Sequence, residues 1–374
     1  PSCSTDNYNV ATCHRPVENS NDIDYAMVSA ETLNRTFPVR LMNEGVNMCF
    51  FNSICQVLYS LPTFHTYLEH TPVNNKVISA LKDIFDDMKS SNVNEVVQTS
   101  DHIRDINLKQ YRFADQYDVE EAFRQILDSC FPSDSQSIFG VEVNEFMTCE
   151  RDRQGCGALN EKKIFDQILQ LNVQNIKQKQ TVSRILQSSF SKTENLDDYT
   201  CELGPNDEGC NKTGTCSKGT RISKSRDTVA IHLNIFANNP VTNKRSKILP
   251  YFEVDDKIKI RSEDYYLHGI IWHHGYTIAS GHYTSMVKHN EIWYHMNDHN
   301  DINIYPKDYV FGCKKGEEQV PYLLIYKKGT NIQANTSVSV NEASYNDVPL
   351  NDYKFIDEPG LVDFSISDDN VNSG

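Results

Sequence analysis

Two short stretches carry the residues whose types and spacing could do chemistry. In "GVNMCFFNSICQVLYS", residues 45–60, two thiols stand six positions apart, Cys49 and Cys55. In "SGHYTSMVKHNEIWYHMND", residues 280–298, His282 is followed by Asn297 and Asp298. A nucleophilic cysteine must be ionised, which a helix N-terminus and a nearby imidazole both promote. Cys49 stands where a helical pattern begins, whereas Cys55 lies nearly two turns inside it, close to the stripe formed by Phe50, Ile54, Val57, Leu58 and Leu61. Cys49 is therefore the expected nucleophile and Cys55 a small packing residue. His282 is the expected base. Asn297 would hold its tautomer through an amide oxygen, with the Asp298 carboxylate as rival for that place.

The elements that must position these residues follow from periodicity. Helical spacing continues through Val77, Ile78, Leu81, Ile84, Phe85 and Met88, and a third helix fits Val119 to Leu127. After Phe139 the chain becomes cysteine-studded and strand-like, with alternation at Leu169, Leu171 and Val173 and a short helix near 182–190. Strands are expected at 229–236, 267–272, 282–288, 292–296 and 322–326, and "KHNEIWY" reads as a tight hairpin with His289 and Asn290 near its turn. Helices first and strands later predict an α+β fold. His273 and His274 are adjacent, so on a strand they point to opposite faces and read as walls of the site, not as joint metal ligands.

Composition bounds the function. With 39% hydrophobic and 23% charged residues and no long apolar run, no membrane partner is expected. A net charge of −15 argues against nucleic acid, whose phosphates require clustered Lys and Arg. The chain begins at Pro1, and residues 1–35 lack the basic and apolar pattern of a secretory signal, so the expected location is intracellular, in cytoplasm or nucleus. Eleven cysteines in a chain long enough to bury a core point to reduced thiols more than to a disulfide framework.

The two stretches resemble a known family. "NEGVNMCFFNSICQVLYSLP" is similar to the cysteine box N-x-G-N-T-C-[YF]-x-N-[SA]-x-x-Q-x-L of the ubiquitin-specific proteases, with Cys49, Phe50, Asn52, Ser53, Gln56 and Leu58 in step. "YYLHGIIWHHGYTIASGHYTSMVKHNEIWYHMND" resembles that family's second box, with its H-x-G, G-H-Y and W-Y-x-x-N-D. Weaker likenesses are "QYDVEEAF" to the helix Q-x-D-A-x-E-F, "TVAIHLNIF" to a strand ending in L-x-R-F, with Ile235 in place of the Arg, and "PYLLIYKK" to the closing strand. The resemblance implies a papain-like thumb, palm and fingers in a catalytic domain over 37–328 (thumb about 37–130, fingers about 139–230, palm about 228–328), while polar, aperiodic composition predicts a flexible lead-in over 1–36 and an acidic disordered tail over 329–374.

It also implies a monomeric deubiquitinating isopeptidase acting on ubiquitin and ubiquitinated proteins, needing no cofactor for catalysis. A protease for a ubiquitin-like modifier and an inactive ubiquitin-binding scaffold remain the alternatives. Asp118 and Glu121 would meet the arginines of ubiquitin's tail, with Gly281 and Tyr283 along the tail's path. The family's oxyanion donor maps to Asn43, but one residue is inserted between Gly45 and Cys49, which leaves Asn47 as the other candidate. The family's finger zinc maps to Cys149, Cys156, Cys201 and Cys210, with Cys216 as alternative; a single structural zinc is the expectation if these loops converge.

Overall fold

The computed structural model describes residues 14–15, 38–329 and 354–355, apart from 44, 74, 93–94, 175–176, 204–208, 239–244, 278–280, 290 and 307. Most of the lead-in and the tail therefore lies outside the described residues. Two short pieces of them are strands, His14–Arg15 and Lys354–Phe355.

Six helices are present among the described residues: α1 Cys49–Tyr59, α2 Pro62–His70, α3 Lys76–Ser90, α4 Ser100–Ile106, α5 Val119–Cys130 and α6 Val182–Phe190. Their boundaries follow local chemistry. Pro62 opens α2, where its missing N–H costs no hydrogen bond. The Asn75 side chain caps α3 by accepting from the Ile78 N–H at 2.8 Å, and Asp118 caps α5 through the N–H groups of Glu120 and Glu121 at 2.9 and 3.1 Å. Every residue of α1 is buried, so this helix is an axle of the core and not a surface element. None of these helices is long and apolar enough to cross a membrane.

The strands that matter to the site are, in chain order, β1 Val141–Cys149, β2 Leu159–Asp166, β3 Ile168–Asn172, β4 Thr193–Leu196, β5 Cys216–Ser225, β6 Thr228–Asn234, β7 Phe236–Asn238, β8 Arg245–Lys247, β9 Lys257–Ile260, β10 Glu263–His274, β11 His282–His289, β12 Ile292–Met296, β13 Asn303–Tyr305 and β14 Val320–Lys328. A large sheet runs β13–β12–β11–β10–β14–β6–β3, with β9 on β10 and Lys354–Phe355 at the β13 edge. A separate four-stranded sheet runs β2–β1–β5–β4. The first is a palm, the second a finger sheet, and the helices of the first third form a thumb whose α1 packs against β11.

The middle of the chain is not all finger. β3 returns to the palm and pairs parallel with β6, Ile168 opposite Ala230 through Asn172 opposite Asn234. Leu169 and Leu171 are buried on one face while Gln170 and Asn172 on the other are exposed, which is why that segment alternates.

Candidate active site

Cys49 is the first residue of α1 and its thiol is buried. No side chain caps this helix, so its first N–H groups stay available at the thiol. The backbone N–H groups of Tyr283, Phe50 and Cys49 itself stand close enough to the sulfur to favour its ionised form. The contact with Tyr283 brings the thiol beside the start of β11, whose first residue is His282. Burial foremost, and then the charge of Asp298, push the Cys49 thiol up to about 12, partly offset by those N–H groups. At neutral pH the thiol keeps its proton until an imidazole takes it. Cys55 is fully buried and raised by burial, in keeping with a packing role.

His282 Nε2 lies 2.7 Å from Asn297 Oδ1 and 4.0 Å from Asp298 Oδ2. An amide oxygen only accepts, so Nε2 carries the proton and Nδ1 keeps the lone pair. Asn297, not Asp298, is thus the partner that holds the imidazole. The ladder does not create this pairing: β12 ends at Met296 opposite Ser285, so Asn297 reaches His282 from the bend that follows. That bend is tight, with Asp298 at φ +52° and the Asn300 N–H returning to the Asn297 carbonyl at 3.0 Å.

Asp298 has a different task. Its Oδ2 accepts from Asn43 Nδ2 at 2.7 Å and its Oδ1 from Asn52 Nδ2 at 2.8 Å, and its carbonyl accepts from the Leu41 N–H. Asn52 is further held by the Met42 carbonyl and by the Thr99 hydroxyl, which donates to its Oδ1 at 2.6 Å. Burial raises the Asp298 carboxyl, against the pull of His282, Asn52 and Asn43. Both oxygens act as acceptors of amide N–H groups.

This clamp separates the two oxyanion candidates. Asn43 accepts from the Met48 N–H through Oδ1 and gives one amide proton to Asp298, which fixes its plane and leaves a second N–H. The Asn47 amide instead donates to the Ala114 carbonyl at 2.7 Å. The inserted residue is absorbed by two left-handed positions, Gly45 at φ +73° and Asn47 at φ +48°, residue types that tolerate that region.

Asp118 stands with its capping oxygen on α5 and its other oxygen accepting from Tyr322 at 2.7 Å and Tyr283 at 3.4 Å. Its carboxylate is engaged within the fold, while Glu121 on the same helix is exposed. The Gly281 N–H donates to Gln116 Oε1 at 2.8 Å, a bond that crosses from palm to thumb. Sequence reasoning missed Thr99 and Gln116 as neighbours of the site. No local pattern marks Thr99; Gln116 opens the "QYDVEEAF" likeness.

At the far end of the fingers, Cys149 closes β1, Cys156 sits in the β1–β2 connection, and Cys201 and Cys210 sit in the β4–β5 connection. Their four sulfurs lie within 4.8 Å of one another, with Cys149 to Cys210 at 3.7 Å and Cys156 to Cys201 at 3.9 Å. Sulfurs on a tetrahedron with bonds of about 2.3 Å are about 3.8 Å apart, so this donor set fits a zinc ion. Both loops are built close to the sulfurs: a Cβ on Gly155 would stand 2.4 Å from Cys149 Sγ, and one on Gly209 would stand 2.1 Å from the Cys201 carbonyl. Burial raises the Cys149 thiol, but hydrogen bonds from Thr215, the Cys156 N–H and the neighbouring thiols outweigh it and bring it below the usual range. Cys216, opposite Cys149 in the ladder, is buried outside the four.

A family model for ubiquitin carboxyl-terminal hydrolases matches residues 39–326. The chain belongs to this family. Among relatives, ubiquitin carboxyl-terminal hydrolase 20 of Arabidopsis thaliana is 25% identical over 213 residues, 51% of this chain and 28% of that protein, so the chain spans under a third of that relative's length. Among solved structures, the SAGA DUB module of Ubp8, Sgf11, Sus1 and Sgf73 bound to monoubiquitin matches with a TM-score of 0.60 at 19% identity, over 79% of this chain and 70% of that one. The family fold accounts for the papain-like thumb, palm and fingers found here.

Proposed function

We propose that the chain is a deubiquitinating thiol isopeptidase, hydrolysing the bond between ubiquitin's C-terminal glycine and a lysine amine or a second ubiquitin. The observation that carries this reading is the uncapped N-terminus of α1 presenting Cys49 at the start of β11, with His282 held by Asn297.

In this reading His282 takes the Cys49 proton and the thiolate adds to the glycine carbonyl. The resulting oxyanion accepts from the remaining Asn43 N–H and the N–H groups at the start of α1. The carbonyl reforms, the C–N bond breaks, and the imidazolium returns its proton to the departing amine. His282 then deprotonates a water that attacks the thioester carbonyl, the C–S bond breaks, the imidazolium returns its proton to the Cys49 sulfur, and ubiquitin leaves with a free C-terminal carboxyl that ionises in solvent. Tail arginines would pair with the exposed Glu121, with Asp118 behind it shaping the wall. Ubiquitin's body would rest on the fingers, whose tip one structural zinc would cross-link through Cys149, Cys156, Cys201 and Cys210. No catalytic step needs that metal.

A ubiquitin probe carrying an electrophile at its C-terminus tests the reading. Labelling is expected in the intact protein and in Cys55→Ala, and is lost in Cys49→Ala. Absence of labelling in the intact protein, with probes of ubiquitin-like modifiers reacting instead, would transfer the activity to such a modifier; silence toward all of them would leave a scaffold.

A further inference from the structure

The last residue of β8, Lys247, is half-buried and makes a set of contacts that the catalytic steps do not use. Its ammonium donates to His273 Nδ1 at 2.8 Å, to the His273 carbonyl at 3.1 Å, to the Gly275 carbonyl at 2.7 Å and to the Glu318 carbonyl. These four acceptors among the described residues already exceed its three protons. The charge thereby ties three separate segments together: the β7–β8 hairpin, the end of β10 and the approach to β14.

The bond to Nδ1 has a consequence for His273. An ammonium can only donate, so Nδ1 must hold a lone pair and the ring is neutral with its proton on Nε2. Burial and then the Lys247 charge keep it neutral, drawing its pKa to about 3. The ring is wedged among Phe236, Tyr283 and Tyr322, with centroids 5.5, 5.1 and 5.9 Å away. Its Nε2 edge lies against Gly281: a Cβ built there would be 2.5 Å from Nε2 and 2.8 Å from the His274 carbonyl. Gly281 is the residue before His282, and its N–H reaches Gln116 on the thumb.

We propose that Lys247 is a positioning residue, whose ammonium acts through His273 to fix the Gly281 backbone at the mouth of the cleft where the substrate's terminal residues are laid. It holds Gly275 directly and Gly281 through the ring, so both flanks of the passage from β10 to β11 are referenced to one charge. This inference rests on the proposed isopeptidase reading. Displacement at a positioning residue acts on the fit of the substrate more than on the thiol, and small misplacements cost about tenfold to 100-fold.

The test is steady-state hydrolysis of ubiquitin bearing a fluorogenic C-terminal amide, with Cys49 alkylation by iodoacetamide measured beside it, on the full chain. Lys247→Met should lower kcat/KM about tenfold or more, chiefly through KM, while alkylation stays within about twofold. Lys247→Arg keeps the charge and should recover part of the loss. If Lys247→Met does not fold, Lys247→Arg carries the test, because its longer planar head must displace His273 and raise KM. Unchanged KM in the folded variants overturns the proposal, as does a fall in alkylation that matches the fall in hydrolysis. A wild-type chain that does not hydrolyse the substrate overturns the isopeptidase reading instead, so the two failures are distinct.

Discussion

Replacing Asp298 by asparagine separates two roles that share one corner of the site. The change is nearly isosteric, but it turns one acceptor oxygen into an NH2 group that faces another amide NH2. One of the two amide bonds, at 2.7 Å to Asn43 or 2.8 Å to Asn52, must break. Asn52 has other anchors, the Met42 carbonyl at 3.0 Å and the Thr99 hydroxyl at 2.6 Å, whereas among the described residues Asn43 keeps only the Met48 N–H. Asn43 is therefore the group that loses its place, and with it the proposed oxyanion donor. Loss of one such donor costs about 100-fold to 1000-fold in kcat, or roughly 2.7–4 kcal/mol, and leaves KM nearly unchanged because the bond forms only in the transition state. The thiol should move the other way. The Asp298 charge is the second cause of the raised Cys49 pKa after burial, so its removal makes the thiolate easier to form. Hydrolysis of a fluorogenic ubiquitin amide and alkylation by iodoacetamide, measured at the same pH, should then diverge, with the first collapsing and the second holding or rising. If both fall together, Asp298 acts on His282, and the division of labour between Asn297 and Asp298 is wrong.

Purified protein should hold about one zinc per chain; Cys156→Ser and Cys210→Ser should lose it, and Cys216→Ser should keep it, as read by metal analysis. Metal retained in both of the first two variants would refute the assignment. His273 and His274 are buried, and burial lowers both pKa values, to about 3 for His273 and well below the usual value for His274. The unfolded chain binds protons on these rings below about pH 6.5, so stability is full above that pH and falls as pH drops toward 3, by about 1.4 kcal/mol per pH unit for each ring. Urea midpoints between pH 7 and 5 should show this slope, and His274→Gln should reduce it; an unchanged slope in the variant would show that other groups carry the dependence.

Much of the site was legible in the sequence because its parts are local. The start of α1, the β11–β12 hairpin and the helices over 76–90 and 119–130 each announce themselves by periodicity within a few turns. The fingers are less legible for a physical reason: β2 is exposed or half-exposed along its whole length, so neither face imposes alternation. The oxyanion donor was undecided because one extra residue between Gly45 and Cys49 changes a count, and counting cannot see that Gly45 and Asn47 adopt left-handed backbone there. Asp298 was read as a rival for His282, since nothing local tells of an asparagine 255 positions earlier that claims its carboxylate. The capping duty of Asp118 was missed: the residue was read as a partner for the arginines of ubiquitin's tail, although an aspartate directly before V-E-E at the start of an apolar stripe is an N-cap pattern.

The burial of α1 bears on how the protein is made. Cys49 leaves the ribosome well before the strand that covers it, which begins 233 residues later at His282. At ordinary rates of synthesis that is a wait of roughly 10–50 s. During it the nascent chain carries a cysteine with neither its proposed base nor its lid of sheet, so the chemistry proposed for that thiol waits on the palm.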